Sequence, residues 1–168
     1  LNKTINVLLA PVITATTGNT CWTNAPVTID ANLTLTGSGN LSGAIVNFGT
    51  GYNSTQDRLI YPATLFGVTG TFDIPTGVLK LTGSANFAQY QQILRTIQYQ
   101  NISATPTYSA IKPVNFTIGD ALPLVACGNA NAHFYKFIPA NNITWQNAKL
   151  GAESQNYFGM QGYLPTIM

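Results

Sequence analysis

Short runs of β-type residues recur along the first two thirds of the chain, and this rhythm restricts the possible folds more than any other feature. Turn-forming sequences rich in glycine, asparagine and serine separate the runs at intervals of roughly ten residues, the spacing typical of an antiparallel sandwich. Within Leu33–Thr36 and Val78–Leu81, apolar side chains alternate with polar ones, as expected for strands with one buried face. The predicted strands are Ile5–Leu9, Val12–Thr16, Val27–Ile29, Leu33–Thr36, Ala44–Phe48, Leu59–Tyr61, Thr71–Asp73, Val78–Thr82, Ile97–Tyr99 and Val114–Ile118.

One segment, residues 84–95, departs from the strand pattern. Phe87, Tyr90 and Leu94 recur there at helical spacing, and Ser84 is placed to cap the first turn. The segment is therefore predicted to be a short amphipathic helix that joins two strands and closes one end of the sandwich core with its aromatic face.

The chain changes character after residue 120. Residues 121–132 are predicted to be an irregular connector, followed by a strand at His133–Ile138. A helix from about Ile143 to Phe158, capped by Asn142, and an extended segment at 161–167 complete the pattern. A strand, a helix and a strand of this size cannot bury both faces alone. We expect them to dock on the sandwich or to belong to a larger domain.

Charged residues make up only 7% of the sequence, whereas an ordinary soluble domain has roughly 25%. Few side chains are thus available for acid–base catalysis, and no enzyme is predicted; His133 is expected to be structural or surface-exposed. The seven Lys and Arg residues are scattered, which argues against nucleic-acid binding. The longest apolar stretch is too short to span a membrane.

The two cysteines, Cys21 and Cys127, are candidates for one disulfide in an extracellular protein, and two free buried thiols are the alternative. Zinc is not expected with a single histidine. No cofactor is predicted. Calcium needs several oxygen ligands close together, and the acidic residues are dispersed, so Asp57 and Asp120 are the weak candidates for such a site.

A family resemblance emerges between residues 10 and 120. The sequences Ala10–Ile13, Ile29–Leu35 and Gly67–Ser84, continuing into Ala88–Arg95 and Tyr99–Asn101 and ending at Val114–Asp120, resemble the cadherin-like, chondroitin-sulfate-proteoglycan-type repeats of large bacterial surface adhesins. The resemblance implies an antiparallel immunoglobulin- or cadherin-like β-sandwich with one short helix over residues 10–120.

Residues 133–168 resemble the opening of a C-type lectin-like domain through His133–Ile138, Ile143–Ala148 and Tyr157–Leu164. The resemblance implies a partial α/β segment, without the later part of the domain in which true C-type lectins hold calcium and sugar. The combination is similar to surface proteins of gliding bacteria that use the type IX secretion route.

Within the N-terminal segment of residues 1–9, the run Ile5–Leu9 ahead of Pro11 is strongly apolar. Ile5, Val7 and Leu9 are spaced to line one face of a strand, which either ends a preceding module or adds to an exposed sheet edge of a neighbouring copy.

These observations predict a non-enzymatic structural and adhesion module at an extracellular surface, whose partners are other modules or subunits of the same protein, with glycans or surfaces as further candidates. Two alternatives remain open at this point. One is a self-assembling filament or surface-layer subunit that uses strand addition, and the other is a carbohydrate-binding lectin.

Overall fold

The computed structural model describes residues 11–61, 64–106, 111–119, 122–124, 133–157 and 160–165. The described chain is mainly β, with antiparallel sheets and two short helices. Its elements are β1 (Val12–Thr14), β2 (Val27–Thr28), β3 (Thr34–Thr36), β4 (Asn40–Phe48), β5 (Asp57–Ile60), β6 (Thr69–Asp73), β7 (Val78–Asn86), α1 (Phe87–Arg95), β8 (Gln98–Asn101), β9 (Val114–Ile118), β10 (Leu122–Leu124), β11 (His133–Tyr135), α2 (Trp145–Glu153), β12 (Asn156–Tyr157) and β13 (Met160–Gln161).

Two sheets make up the main part of the molecule. The larger has the strand order β6-β7-β4-β9 and the smaller has the order β2-β8-β5. Three pairs of strands, β1–β3, β10–β11 and β12–β13, lie outside them. In the larger sheet, Val46 pairs with Leu79 on one side and with Phe116 on the other, so the middle of β4 is covered by apolar neighbours.

A single hydrophobic cluster joins both sheets and α1. It includes Val46 and Leu81 from the larger sheet, Leu59 from the smaller sheet, and Tyr90 and Leu94 from the helix. All five side chains are at most 3% exposed. The alternation predicted at Leu33–Thr36 and Val78–Leu81 is confirmed, since the leucines are buried and the intervening Thr34 and Lys80 are exposed.

The predicted helix between the strands is confirmed as α1, and its aromatic face is buried. Its cap is Asn86, however, and the prediction of Ser84 was wrong. Ser84 still belongs to β7, whereas Asn86 and Gln89 form a reciprocal capping box in which each side chain bonds the backbone N–H of the other. The strand therefore continues to the residue that starts the helix.

Tyr90 ties α1 to the sheet by more than packing. Its hydroxyl donates a hydrogen bond to the carbonyl oxygen of Gly83 at 2.6 Å, and burial raises the pKa of Tyr90 to about 12. Gly83 has a φ of +146°, and a Cβ there would approach the carbonyl oxygen of Gly67 to 2.8 Å. A glycine is thus required where β7 bends toward the helix.

Two further hydrogen bonds attach α1 to the segment around β3. Gln91 accepts one from the backbone N–H of Leu35 at 2.8 Å, and Arg95 Nε donates one to the carbonyl oxygen of Leu33 at 2.7 Å. Because β3 pairs with β1, the helix secures an otherwise short two-stranded unit to the core.

The C-terminal region differs from the prediction in several details. The strand predicted at His133–Ile138 ends at Tyr135, and the helix predicted from about Ile143 to Phe158 runs from Trp145 to Glu153, with β12 following it. Residues 122–124, expected within a connector, form β10 and pair with β11. The cap of α2 is Thr144, which accepts a hydrogen bond from the backbone N–H of Asn147. The prediction of Asn142 as the cap was wrong, because Asn142 lies in the left-handed region with a φ of +57°. Tyr157 of β12 donates a hydrogen bond to the carbonyl oxygen of Ile118, which connects this region to the end of β9.

Removing the same side chain at a buried and an exposed position tests the importance of this core. Leu94 is 1% exposed and Leu150 is 63% exposed. We expect Leu94→Ala to lower the free energy of unfolding by about 2–5 kcal/mol, because it removes apolar contacts and leaves a cavity. Leu150→Ala should change it by less than about 0.5 kcal/mol. Urea denaturation measures both, and equal losses would contradict the described core.

Candidate functional site

A buried carboxylate, that of Asp57 at the start of β5, organises the most polar part of the interior. Its side chain is fully inaccessible to solvent. Four donors surround its two oxygens: the backbone N–H of Asn53 at 2.8 Å, the hydroxyl of Tyr99 at 2.9 Å, Nδ2 of Asn101 at 3.2 Å and Nζ of Lys112 at 2.5 Å. This arrangement compensates the cost of burying a charge, which otherwise would be several kcal/mol.

Strand pairing explains how these residues meet. Asp57 lies opposite Asn101 in the β5–β8 register, and Leu59 lies opposite Tyr99. Tyr99 and Asn101 are two residues apart on β8, so their side chains leave the same face and both reach the carboxylate. Asn101 is further fixed by its own Oδ1, which accepts a hydrogen bond from the backbone N–H of Ser103 at 2.8 Å.

The turn before β5 completes the cluster. Asn53 Oδ1 accepts a hydrogen bond from the backbone N–H of Thr55, and the Asn53 carbonyl accepts bonds from the N–H groups of Gln56 and Asp57. Such an asparagine turn folds the chain back on itself and aims the Asn53 N–H at the Asp57 carboxylate.

Lys112 occupies the position in which a bound cation would be found. Its Nζ contacts Asp57 Oδ2 and also donates to the carbonyl oxygen of Gly51 at 3.0 Å, and its side chain is 13% exposed. The calcium role of Asp57 stays a prediction, and in the structure an ammonium group fills that place. Asp120, the other calcium candidate, lies outside the described residues. Among the described residues, no group of three or more His, Cys, Asp and Glu side chains could hold a metal ion.

Aromatic rings enclose the cluster on the side of the core. The rings of Tyr99 and Phe48 meet edge to face with centroids 6.0 Å apart, and Trp22 contacts the other side of Tyr99 at 6.3 Å. Burial raises the pKa of Tyr99 to about 12, and the neighbouring Asp57 carboxylate acts in the same direction. The hydroxyl therefore stays protonated and available as a donor at neutral pH.

A cleft of about 780 Å³ opens beside this cluster, between the two sheets. Val27 and Ile29 line it at the β2 edge of the smaller sheet, and Val114 and Phe116 line it at the β9 edge of the larger one. The loop of residues 15–22 also lines it, including Cys21, which is exposed. The cleft thus has apolar walls contributed by the edges of both sheets.

Asp30 holds the loop that lines this cleft. Its carboxylate accepts hydrogen bonds from the backbone N–H and the hydroxyl of Thr16 at 2.7 and 2.9 Å, and from the N–H of Asn32 at 3.0 Å. Burial by itself raises the pKa of Asp30. The hydrogen bonds together lower the pKa by more than burial raises it, so the pKa of Asp30 lies below its usual value.

The C-terminal region presents a second surface feature, a set of exposed apolar side chains. Phe137 is 90% exposed and Trp145 is 67% exposed, and α2 buries none of its own residues. Other exposed apolar residues of this region are Ile138, Ile143, Leu150, Met160 and Tyr163. Exposed apolar side chains that lie together mark a contact area on a protein surface, so this region is a candidate for one.

Several predicted site residues lie outside the described residues. These are Cys127, and the strand-addition candidates Ile5, Val7 and Leu9, so neither the disulfide with Cys21 nor strand addition is tested. His133 belongs to β11. No helix among the described residues is long and apolar enough to cross a membrane.

The sequence analysis identified Asp57 but missed its partners. Tyr99, Asn101 and Lys112 are 42, 44 and 55 residues away along the chain. The one local signal was the alternation of Tyr99 and Asn101 in a strand of polar residues, where two hydrogen-bonding side chains share one face.

The pKa of Asp30 generates a testable pH dependence. Because the pKa is lower in the folded chain than in the unfolded chain, the stabilisation by Asp30 is present above the unfolded value of about 4 and is lost as the pH falls through the folded value. Urea unfolding between about pH 6 and pH 2 should therefore show a steeper loss of stability for the native chain than for Asp30→Asn. Asp73→Asn, at an exposed position, controls for net charge. Parallel curves for the native chain and Asp30→Asn would contradict the assignment.

Comparison with known proteins gives one curated relative. The chain is 30% identical over 145 residues to halomucin of Haloquadratum walsbyi (strain DSM 16790 / HBSQ001). The alignment covers 83% of this chain but 2% of halomucin, so the chain corresponds to a small part of a far longer protein. No protein-family model matches the chain, and no solved structure matches it significantly.

Proposed function

We propose that this chain is a non-enzymatic structural and adhesion module of an extracellular surface protein. The observation that carries the proposal is the alignment of 83% of the chain with a short stretch of halomucin, whose name describes it as a mucin. A module that makes up a small part of such a protein contributes mainly length, stiffness and contact surface. Cadherin-like architecture for residues 10–120, and secretion by the type IX route, remain part of this proposal.

The physical character of the described residues supports this role. The main hydrophobic cluster unites two antiparallel sheets and a helix, which favours a stiff unit over a hinged one. The exposed side chains of the C-terminal region, Phe137 and Trp145 among them, supply apolar contact area for a neighbouring module or a surface. The resemblance of residues 133–168 to the start of a lectin-like domain supports such a neighbour, and glycan binding by a lectin-like domain is part of this proposal.

Labelling of intact cells tests the surface location. An antibody raised against this chain should label non-permeabilised cells of the source organism, and external protease should remove the signal. An antibody against a ribosomal protein provides the control, since it should label only permeabilised cells. Labelling with the first antibody that appears solely after permeabilisation would contradict the proposal.

A second candidate function is self-assembly by strand addition, and the cleft between the sheets favours it. Among the described strands, β9 pairs only with β4 and β2 pairs only with β8, so each leaves one edge without a strand partner. These edges border the cleft and supply its apolar walls. Residues Ile5, Val7 and Leu9 of a second copy have the alternation that an added strand needs to place apolar side chains in such a cleft.

Sedimentation over a range of concentrations tests this second candidate. The native chain should form larger species as its concentration rises, and deletion of residues 1–9 should keep it monomeric. Val7→Asp places a charge on the apolar face of the segment, whereas Asn6→Asp adds the same charge to its other face. Assembly should be lost with the first substitution and kept with the second. A native chain that stays monomeric at every concentration would exclude this function.

A further inference from the structure

An amine, a primary amide and a carboxylate meet in the buried polar cluster. Lys112 Nζ lies 2.5 Å from Asp57 Oδ2, and Asn101 Nδ2 lies 3.2 Å from Asp57 Oδ1. One carboxylate therefore bridges the two nitrogens, each on its own oxygen. The asparagine amide helps to satisfy the buried carboxylate, and the same contact brings a primary amide and an amine to one proton acceptor.

The surroundings shield these groups from water. The Asp57 side chain is fully buried, that of Lys112 is 13% exposed, and Asn101 as a residue is 8% exposed. The contact of 2.5 Å between Lys112 Nζ and Asp57 Oδ2 gives the lysine a direct proton acceptor. An amine that has passed a proton to this acceptor is a nucleophile, and the primary amide of Asn101 is held by the same carboxylate.

The amide of Asn101 is also held in a reactive arrangement. Its Oδ1 accepts a hydrogen bond from the backbone N–H of Ser103 at 2.8 Å, which polarises the carbonyl and supports negative charge on the oxygen during attack. Its Nδ2, the leaving nitrogen, donates to Asp57 Oδ1, so the carboxyl group that takes the lysine proton also lies against the leaving nitrogen. Tyr99 donates to the same carboxylate oxygen at 2.9 Å and acts as a positioning residue.

We propose that Lys112 and Asn101 become joined by an intramolecular isopeptide bond, with Asp57 as the proton carrier. Asp57 Oδ2 takes a proton from the Lys112 ammonium, and the freed Nζ attacks Cγ of Asn101. The Cγ–Nδ2 bond then breaks, the carboxyl group and Nζ each give one proton to the departing NH2 group, and this group leaves as an ammonium ion that carries away the positive charge of the lysine. One C–N bond forms and one breaks, Asp57 ends as it began, and no oxidant or cofactor takes part.

An open cavity provides a route for the released ammonium ion. It has a volume of about 460 Å³ and is lined by both Asn101 and Lys112 together with residues of the turn before β5, among them Asn53 and Gln56. Both reacting side chains thus border the same space. The core side of the cluster is closed by the aromatic rings of Tyr99 and Phe48.

The bond would connect the two sheets covalently. Asn101 ends β8 of the smaller sheet, and Lys112 stands two residues before β9 of the larger sheet. A covalent link there would hold the sheets together at one end of the cleft and close the intervening segment into a ring. This inference does not depend on the proposed surface role, because the chemistry needs only the folded chain.

The intact mass of the purified chain, measured under denaturing conditions, tests the proposal. Loss of ammonia should lower the mass by about 17 Da from the value calculated for the sequence. Lys112→Arg keeps the positive charge, but its guanidinium is not a nucleophile, so this variant should show its full calculated mass. Asp57→Asn removes the proton carrier and should also show its full mass.

Fragmentation of a protease digest separates the proposal from other reactions. A branched peptide that contains both Asn101 and Lys112 is the expected product. An unaltered mass in the native chain would overturn the proposal, as would a loss of about 17 Da that persists in Lys112→Arg, since that pattern indicates a succinimide at an asparagine. A loss of about 18 Da with Asp57 in the branched peptide would overturn the assignment of Asn101 as the acceptor.

Discussion

The buried carboxylate of Asp57 is the interaction on which the arrangement of the two sheets depends most. It accepts hydrogen bonds from the turn before β5, from β8 and from the residue that leads into β9, so one side chain links three parts of the chain that are far apart in sequence. This chain has few charged residues, and two of them form this buried ion pair. The carboxylate needs all of its donors at once, because the removal of one leaves charge in the interior without compensation.

The hydrophobic core and this polar centre contribute to the fold in different ways. Residues such as Val46 and Leu59 provide the bulk of the stabilisation through burial, but apolar contacts have little directional preference. Hydrogen bonds with defined partners distinguish one register of β5 and β8 from another. The carboxylate and the core therefore have separate roles, the first in specificity and the second in stability.

Local patterns in the sequence were sufficient to predict most strands and the helix α1. The bounds of β9 agree with the prediction residue for residue, and Leu33 and Leu35 are buried as their alternation indicated. Helix caps were harder to predict from the sequence, because Asn86 serves as a cap only through its reciprocal pairing with Gln89. The candidate site was predicted in part: Asp57 was named for calcium, but its lysine partner is brought close by tertiary folding, which no local pattern encodes.

The two ends of the segment between β8 and β9 are fixed by the same carboxylate, through Asn101 at one end and Lys112 at the other. The two sheets are therefore held by these anchors and do not depend on the length of the connection between them. Insertions and deletions there would cost little beyond loop-closure entropy, which rises slowly with length. In related chains we expect this connection to diverge in length and composition while its two flanking residues keep their place, which makes it a natural position for grafting foreign peptides onto the scaffold.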